Sequence, residues 1–255
     1  MSDSSLGALA ASLLTPDMAI AAAAAFLTSI LGGLTGFGVG LVLPVALAPI
    51  VGIANVIPCM AIGMLLTNGG RVWAFWRDVE RRVVLRILVG TIPAALASAS
   101  LYTLLPERAI AGLLGVIALA MLPLRRALDG RAIALGGLGF AGLGLLHGAV
   151  AGAASGTGII LVGGLLAAGL AGSAVIATDA AVAFVLNLLK IAVFGTASLL
   201  DLRLALIGAL VGLCTIPGAF VARWLLGRMP MQVHVWMLEA IVAGGGVWFL
   251  YKAFA

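Results

Sequence analysis

The feature that most constrains this chain is a glycine-rich apolar segment that occurs twice, about 120 residues apart. The first copy, LGGLTGFG, runs from Leu31 to Gly38, and the second, AGAASGTG, runs from Ala151 to Gly158. Closely spaced glycines interrupt a helix, because glycine loses the most conformational entropy on folding and adopts backbone angles that other residues avoid. A long apolar chain with breaks at matched positions is typical of membrane proteins built from two internal repeats.

Further matches extend the repeat beyond the glycine segments. The offset between matched residues drifts slightly along the chain, which places insertions and deletions between the matches. The matched segments are Asn68-x-x-Arg71-x-x-x-Phe75 with Asn187-x-x-Lys190-x-x-x-Phe194, Thr91-Ile92-Pro93 with Thr215-Ile216-Pro217, and Pro106 with Pro230.

The composition requires a lipid environment. Hydrophobic residues make up 64% of the chain and charged residues only 9%, and the mean hydropathy is +1.27. A chain of this kind cannot cover its surface with polar groups, and its long unbroken apolar runs favour helices over the alternating strands of a barrel. The net charge of +5 comes from arginines in short loops, where membrane topology accounts for it, so no nucleic-acid partner is expected.

Glycine, proline and charge divide each half of the chain into five helical pieces. The last three pieces of each half reach about 20 residues, which is enough to cross about 30 Å of hydrocarbon. The first two pieces of the first half are shorter and form either two thin spans or a re-entrant hairpin with its glycine tip at mid-depth. The predicted pieces are 18–33, 37–51, 54–75, 83–104 and 108–124 in the first half, and 132–153, 157–170, 174–198, 203–226 and 232–254 in the second.

The loop charges predict opposite orientations for the two halves. The loop at 71–86 is strongly positive, whereas its counterpart at 201–203 is neutral. The loop at 107–108 is neutral, whereas its counterpart at 223–228 is positive. Because positive loops stay in the cytoplasm, the copies should be inverted, with the positive connector at 125–131 inside and both termini outside.

These observations define one predicted architecture. The chain is expected to be an all-α polytopic membrane protein with two inverted repeats, each with a glycine-broken hairpin followed by three transmembrane helices. The predicted divisions are an N-terminal tail at 1–17, a first repeat at 18–126 and a second repeat at 127–255.

The glycine breaks are candidate sites for a small anion. A helix that begins inside the membrane presents unpaired N–H groups and a partial positive charge, and glycine lets a ligand approach the backbone closely. The alternative is close helix packing through small residues, but a matched hydroxyl in both copies favours binding. The candidate residues at the breaks are Thr35, Gly36, Gly38, Ser155, Gly156, Thr157 and Gly158.

Two cations at matched repeat positions extend this candidate site. Arg71 and Lys190 each follow an asparagine by three residues, so Asn68 and Asn187 share a helix face with them. Arg71 either contributes to the site or reaches the cytoplasmic surface as a topology signal. Lys190 lies well inside an apolar run, where an uncompensated cation costs at least a few kcal/mol, so a counter-ion or an anionic substrate is expected beside it and a functional role is favoured.

Asp179 and His147 are candidates for coupling to protons. Asp179 is an acid placed early in a predicted span, and His147 lies shortly before the second glycine break. The alternatives are an acid at the membrane interface and a hydrogen-bonded structural histidine. The sequence has no catalytic grouping, no metal-ligand spacing and no phosphate loop, so we expect neither an enzyme nor a metal or cofactor site.

Taken in order, these segments resemble the TauE/SafE sulfite exporters over nearly the whole chain, from about 18 to 254. The resemblance implies a permease of the bacterial inner membrane for small anions such as sulfite, sulfoacetate and related organosulfonates. The segments that carry it are Gly32 to Gly38, Gly152 to Gly158, Ala177-Thr178, Asn187-x-x-Lys190, the turn from Gly195 to Leu200-Asp201, and Pro217-Gly218-Ala219.

The leading hypothesis is therefore a secondary transporter that exports a small sulfur-containing anion by alternating access around the two glycine tips. The alternatives are a proton-coupled importer of a small organic or inorganic anion, an anion channel, and a membrane subunit that only supports a partner. The expected partners are the anionic substrate and membrane lipid, with the number of copies in an assembly left open. The expected location is the inner membrane, with multiple passes and periplasmic termini.

Overall fold

The computed structural model describes residues 15–33, 38–128, 135–226 and 231–255. All regular structure within these ranges is helical, with no strand. The predicted class of all-α polytopic membrane protein is therefore confirmed. Residues 1–14 lie outside the described ranges, and they include most of the predicted N-terminal tail.

Ten α-helices follow one another along the described chain, and their bounds lie within a few residues of most predicted pieces. The first helix begins at Pro16, a proline in the first helical turn, where its missing N–H costs nothing. The helices are α1 (Pro16–Gly33), α2 (Gly38–Val51), α3 (Val56–Ala74), α4 (Arg81–Leu104), α5 (Glu107–Leu128), α6 (Gly137–Ala151), α7 (Gly158–Ala167), α8 (Ser173–Thr196), α9 (Leu202–Leu226) and α10 (Met231–Phe254).

Four segments of the described chain are long and apolar enough to cross a membrane. The two helices on either side of the second glycine segment are too short to do so alone, with 15 residues in α6 and 10 in α7. The four candidate spans are Ile53–Ala74, Arg81–Leu104, Glu107–Leu124 and Ser173–Thr196.

Each pair of helices that pack together has an equivalent pair, which is obtained when every helix is replaced by its counterpart in the other half of the chain. Helix α4 packs on α6 and α8, and its counterpart α9 packs on α1 and α3. Helix α5 contacts α7, and α10 contacts α2; the counterparts α3 and α8 pack on each other, as do α5 and α10. This pattern is what two structurally similar halves around a pseudo-two-fold axis would produce.

Contacts at the helix ends show that α3 and α8 run antiparallel. Near the end of α3, the N–H of Glu80 donates to Thr178 Oγ1 in the first turns of α8, at 3.2 Å. At its other end, Asn55 shares a cavity with Ser198, just after α8 ends. Helices α5 and α10 are also antiparallel, since Arg108 Nη2 donates to the Ala255 carbonyl at 3.4 Å.

These contacts define two ends of the bundle. We call the end that carries the arginines at 77–86 the basic end, and the end that carries 107–108 and 201–203 the neutral end. The short helix Ile53–Asn55 belongs to the neutral end, because the N–H of Ile53 donates to Glu107 Oε1 at 3.2 Å.

Each glycine-broken hairpin has both of its ends at one end of the bundle. Helix α6 begins at the basic end, where Gly137 lies against the Arg86 side chain, and α7 leads back to the start of α8 at that same end. Helices α1 and α2 pack along each other and are separated by only four residues, and α2 ends at the neutral end. This arrangement favours the re-entrant alternative. The inverted relation of the complete repeats and their limits at 17 and 126 stay predictions.

Candidate functional site

A polar cavity of about 60 Å³ lies where α3 and α8 meet the break between α6 and α7. One water needs roughly 10–15 Å³ of such space, so the cavity has room for a small anion or several waters. It gathers nearly all of the predicted site residues that the structure describes. Those lining it are Asn68, Arg71, His147, Ser155, Gly156, Thr157, Gly158, Asp179, Asn187 and Lys190.

The break that forms one wall of the cavity arises from glycine at a left-handed backbone position. Gly156 has φ of +77°, a region that costs other residues roughly 1–2 kcal/mol. Helix α7 then begins at Gly158 with no side-chain cap on its first N–H groups. Its N-terminus therefore presents donors and a partial positive charge at the cavity.

The two broken hairpins meet beside this cavity. The backbone of Gly40, in the first turn of α2, touches the backbone of Gly156 so closely that a Cβ atom on Gly40 would overlap it. Gly38 is the first residue of α2. Thr35 and Gly36, which the sequence assigns to the first tip, lie outside the described residues.

Lys190 bonds to the main chain of the broken segment. Its side chain is only 3% exposed, and Nζ donates to the carbonyls of Ala151 at 3.0 Å and Ala154 at 2.8 Å. Carbonyls at a helix C-terminus have no intrahelical partner and carry partial negative charge. The ammonium therefore neutralises the end of α6, and two of its three donors are engaged.

The two repeat-related asparagines differ in their partners. Asn187 Nδ2 donates to the Ala183 carbonyl one turn earlier at 2.7 Å. Asn68 is 2% exposed, and its Nδ2 has no partner among the described residues. A buried amide donor without a partner costs roughly 1–3 kcal/mol, so Asn68 is poised to donate to a ligand.

Arg71 and Asp179 occupy the side of the cavity nearest the basic end. Arg71 lies in the last turn of α3 and is half-buried, and Asp179 on α8 is 6% exposed. Their opposite charges attract each other. The structure therefore places the predicted coupling acid beside a predicted binding cation.

His147, the second predicted coupling residue, lies in the last turns of α6 and is 2% exposed. Neither Nδ1 nor Nε2 has a hydrogen-bond partner within the described ranges. The Thr157 backbone lies near the ring without completing a hydrogen bond to either nitrogen. The alternative of a structural histidine held by the main chain therefore rests on the Thr157 contact, which falls short of ordinary hydrogen-bond geometry.

An aromatic pair that lies towards the neutral end was not among the residues predicted from the sequence. Phe194, one turn after Lys190, is fully buried, and its ring centroid lies 5.5 Å from that of Tyr102. Tyr102 Oη donates to the Ala54 carbonyl at 3.0 Å. The signal available in the sequence was the match of Phe194 to Phe75 at the end of the repeated motif.

The described part of the chain has no group of three His, Cys, Asp or Glu residues that could hold a metal ion. The cavity offers hydrogen bonding and charge. Its cations, amides, hydroxyls and helix N-terminus are all suited to oxygen atoms that carry negative charge.

The fold and the cavity define a class: multi-pass helical membrane proteins with a polar site where two broken hairpins meet. Residues 21–249 match the family model described as "Sulfite exporter TauE/SafE". The chain belongs to this family, which confirms the resemblance found in the sequence. Comparisons with curated proteins and with solved structures gave no significant match. Membership implies a membrane exporter of sulfite or another anion, and the family is one of transporters.

Proposed function

We propose that this protein is a secondary transporter that exports a small sulfur-containing anion, such as sulfite, sulfoacetate or a related organosulfonate, by alternating access. The observation that carries the proposal is the gathering of repeat-related polar residues from α3 and α8 at the broken helix tip in one small cavity. In this proposal the bundle spans the bacterial inner membrane, with the basic end in the cytoplasm and both termini in the periplasm.

The cavity would replace the hydration shell of the anion with protein donors. Lys190 keeps its third donor for the substrate, and the uncapped start of α7 adds backbone N–H groups. The hydroxyls of Ser155 and Thr157 and the amide of Asn68 complete the set. Donors of this kind offset the cost of moving a charge into a low-dielectric core. The first tip, with Thr35 and Gly36, would contribute from the other side.

The membrane potential favours export over import of the anion. A potential that is negative inside favours the outward movement of an anion by about 2.3 kcal/mol per charge per 100 mV. The potential alone can therefore drive export, without a gradient of a second ion. A carrier that exposes the cavity to one side at a time would use this driving force without becoming a leak.

The unequal burial of two matched aromatics suggests how access alternates. Phe194 is fully buried between the cavity and the neutral end, whereas its counterpart Phe75 is 37% exposed near the basic end. We infer a state in which the route to the neutral end is closed. In the opposite state, Phe75 would be buried and Phe194 exposed. That change would close the route to the basic end and open the route to the neutral end, as expected for inverted repeats around a fixed site.

Cysteine labelling checks this inference. In a background with Cys59→Ala and Cys214→Ala, we expect Phe75→Cys to react with an impermeant thiol reagent at least about ten times faster than Phe194→Cys, because the second side chain is buried. Labelling is measured in inside-out and right-side-out vesicles from cells. Ser198→Cys, exposed at the neutral end, provides the control for sidedness. Equal reactivity at the two phenylalanine positions would contradict the closed neutral end.

Transport in proteoliposomes tests the function itself. Vesicles that contain the purified full-length protein and radiolabelled sulfite should show saturable efflux, and external unlabelled sulfite should accelerate it by counterflow. Protein-free vesicles give the background leak. Conductance without saturation would indicate a channel, and the absence of flux for sulfite, sulfate, thiosulfate and sulfoacetate would overturn the proposal.

A further inference from the structure

The unpartnered nitrogens of His147 carry information about the substrate. The ring is among the most buried polar groups of the described chain, lines the proposed binding cavity, and has no hydrogen bond at Nδ1 or Nε2. A neutral imidazole has one donor nitrogen and one acceptor nitrogen. A ligand that satisfies both must therefore accept one hydrogen bond and donate another.

An anion that only accepts hydrogen bonds cannot meet this requirement while the imidazole is neutral; a protonated imidazole would donate from both nitrogens, which again brings one proton into the cavity with the anion. With a neutral imidazole, the oxygens of the anion would take the imidazole N–H and the unpartnered Nδ2 of Asn68, but the second imidazole nitrogen would stay buried and unsatisfied. Sites built to bond a substrate hydroxyl reject analogues that lack it, because a buried polar group is then left unpaired.

The charges that face His147 favour an anion with a proton over a neutral ligand. Lys190 and Asp179 on α8 and Arg71 on α3 line the same cavity as His147. Helices α4 and α7 also pack on α6, but they contribute no charged residue to the cavity lining within the described ranges. By formal charge, the lining has two basic side chains and one acid, an excess of one basic group that suits a monoanion.

From this geometry, and given the proposed transport function, we propose that the cavity binds its anion together with one proton, which lies in a hydrogen bond between His147 and the anion. The preferred substrate class is then a small oxyanion that keeps an acidic hydrogen, as hydrogen sulfite does. Fully ionised sulfonates without such a hydrogen would be poorer substrates.

The charge balance of this step is the same in two descriptions. Either the monoanion enters with its own hydrogen, or a dianion enters together with a proton that His147 takes up on the same side, and both the dianion and that proton are released on the other side. In both, one oxyanion and one proton leave together and one negative charge crosses the membrane. The measurable consequence is that a proton accompanies each doubly charged sulfite exported.

The experiment uses the full-length protein in proteoliposomes with the membrane potential clamped at zero by potassium and valinomycin. Labelled sulfite efflux is followed with the vesicle interior either more acidic than the outside or equal to it, and a trapped pH dye reports proton movement. Methanesulfonate, which has no acidic hydrogen, is tested as a competitor. Protein-free vesicles correct for diffusion of the neutral acid.

Three results would support the proposal. An acidic interior should drive sulfite out against its concentration gradient, and the interior pH should rise as sulfite leaves. Methanesulfonate should compete at least about ten times more weakly than sulfite. His147→Leu should lose at least about tenfold of sulfite flux together with this discrimination, whereas His147→Gln, which has one donor group and one acceptor, should recover part of both.

A failure of this inference can be distinguished from a failure of the transport proposal. Sulfite efflux that ignores the pH gradient, with methanesulfonate competing equally, would overturn this inference and leave the transport proposal standing. No efflux of any anion would overturn the transport proposal and this inference with it. If His147→Leu does not fold, the gradient measurement on the unaltered protein and His147→Gln still decide the question.

Discussion

Replacement of Lys190 by methionine is expected to lower sulfite efflux at least about 100-fold. A unit charge near 4 Å from the anion contributes about 4 kcal/mol at an effective dielectric constant of about 20, and each 1.4 kcal/mol corresponds to a factor of ten. The Tm should also fall, by roughly 5 °C or more, because two charge-assisted bonds to Ala151 and Ala154 are lost.

Two variants separate the binding effect from the structural one. Lys252→Met removes the other lysine of the chain, which is exposed near the ring of Trp248, and should change neither flux nor Tm. Lys190→Arg should keep most of the stability, because the guanidinium also donates to carbonyls. Flux is measured in proteoliposomes, and unfolding is followed with a dye that reacts with the buried Cys59 thiol. Full transport by Lys190→Met would remove Lys190 from the site.

The case of Lys190 shows what a sequence can and cannot predict about such a site. Its position in an apolar run indicated that a partner must exist, since a bare cation there is costly. The partner was expected to be a counter-ion or the substrate. The structure supplies two main-chain carbonyls that lie 36 and 39 positions away in sequence and are unpaired only because α6 ends there. No side-chain pattern records that interaction.

The glycine segments, in contrast to the partners of Lys190, could be predicted from the sequence. Their signal is local, and their repetition indicated that both breaks belong to the architecture. Helix bounds followed for the same reason, with α8 at Ser173–Thr196 against a predicted 174–198. The burial of Phe194 and the exposure of Phe75 were not predictable, because two residues at matched positions have the same sequence signal and differ only in the conformation that the bundle adopts.

The contact between the two hairpins links the fold to the proposed mechanism. Because Gly40 meets Gly156 without side chains between them, the start of α2 and the start of α7 approach as closely as two backbones can. A tip held by such contact on one side and by Lys190 on the other is fixed in position. Fixed donors lose little conformational entropy on binding, which favours affinity for a small ligand.

Gly156→Ala is therefore expected to destabilise the protein by roughly 2–5 kcal/mol and to reduce flux about 100-fold. The left-handed backbone at φ +77° accounts for about 1–2 kcal/mol. The rest comes from overlap, because the added Cβ would lie 2.5 Å from Leu41 Cγ and 2.7 Å from the Gly40 carbonyl carbon. Relief of that overlap moves the start of α7, and a shift of about 1 Å in a binding group is enough for the loss of flux.

Two other glycines serve as controls that separate the cost of the backbone angle from the cost of the overlap. Gly172 also has a left-handed backbone, with φ of +59°, but a Cβ there meets no described atom within 4 Å, so Gly172→Ala should show the backbone cost alone and keep its flux. Gly195 lies in α8 with the same open space and no unusual angle, so Gly195→Ala should be neutral or slightly stabilising. Thermal unfolding and efflux are measured on all three. If Gly156→Ala behaved as Gly172→Ala does, the contact between the tips would not hold the site, and the arrangement of donors around the anion would need another support.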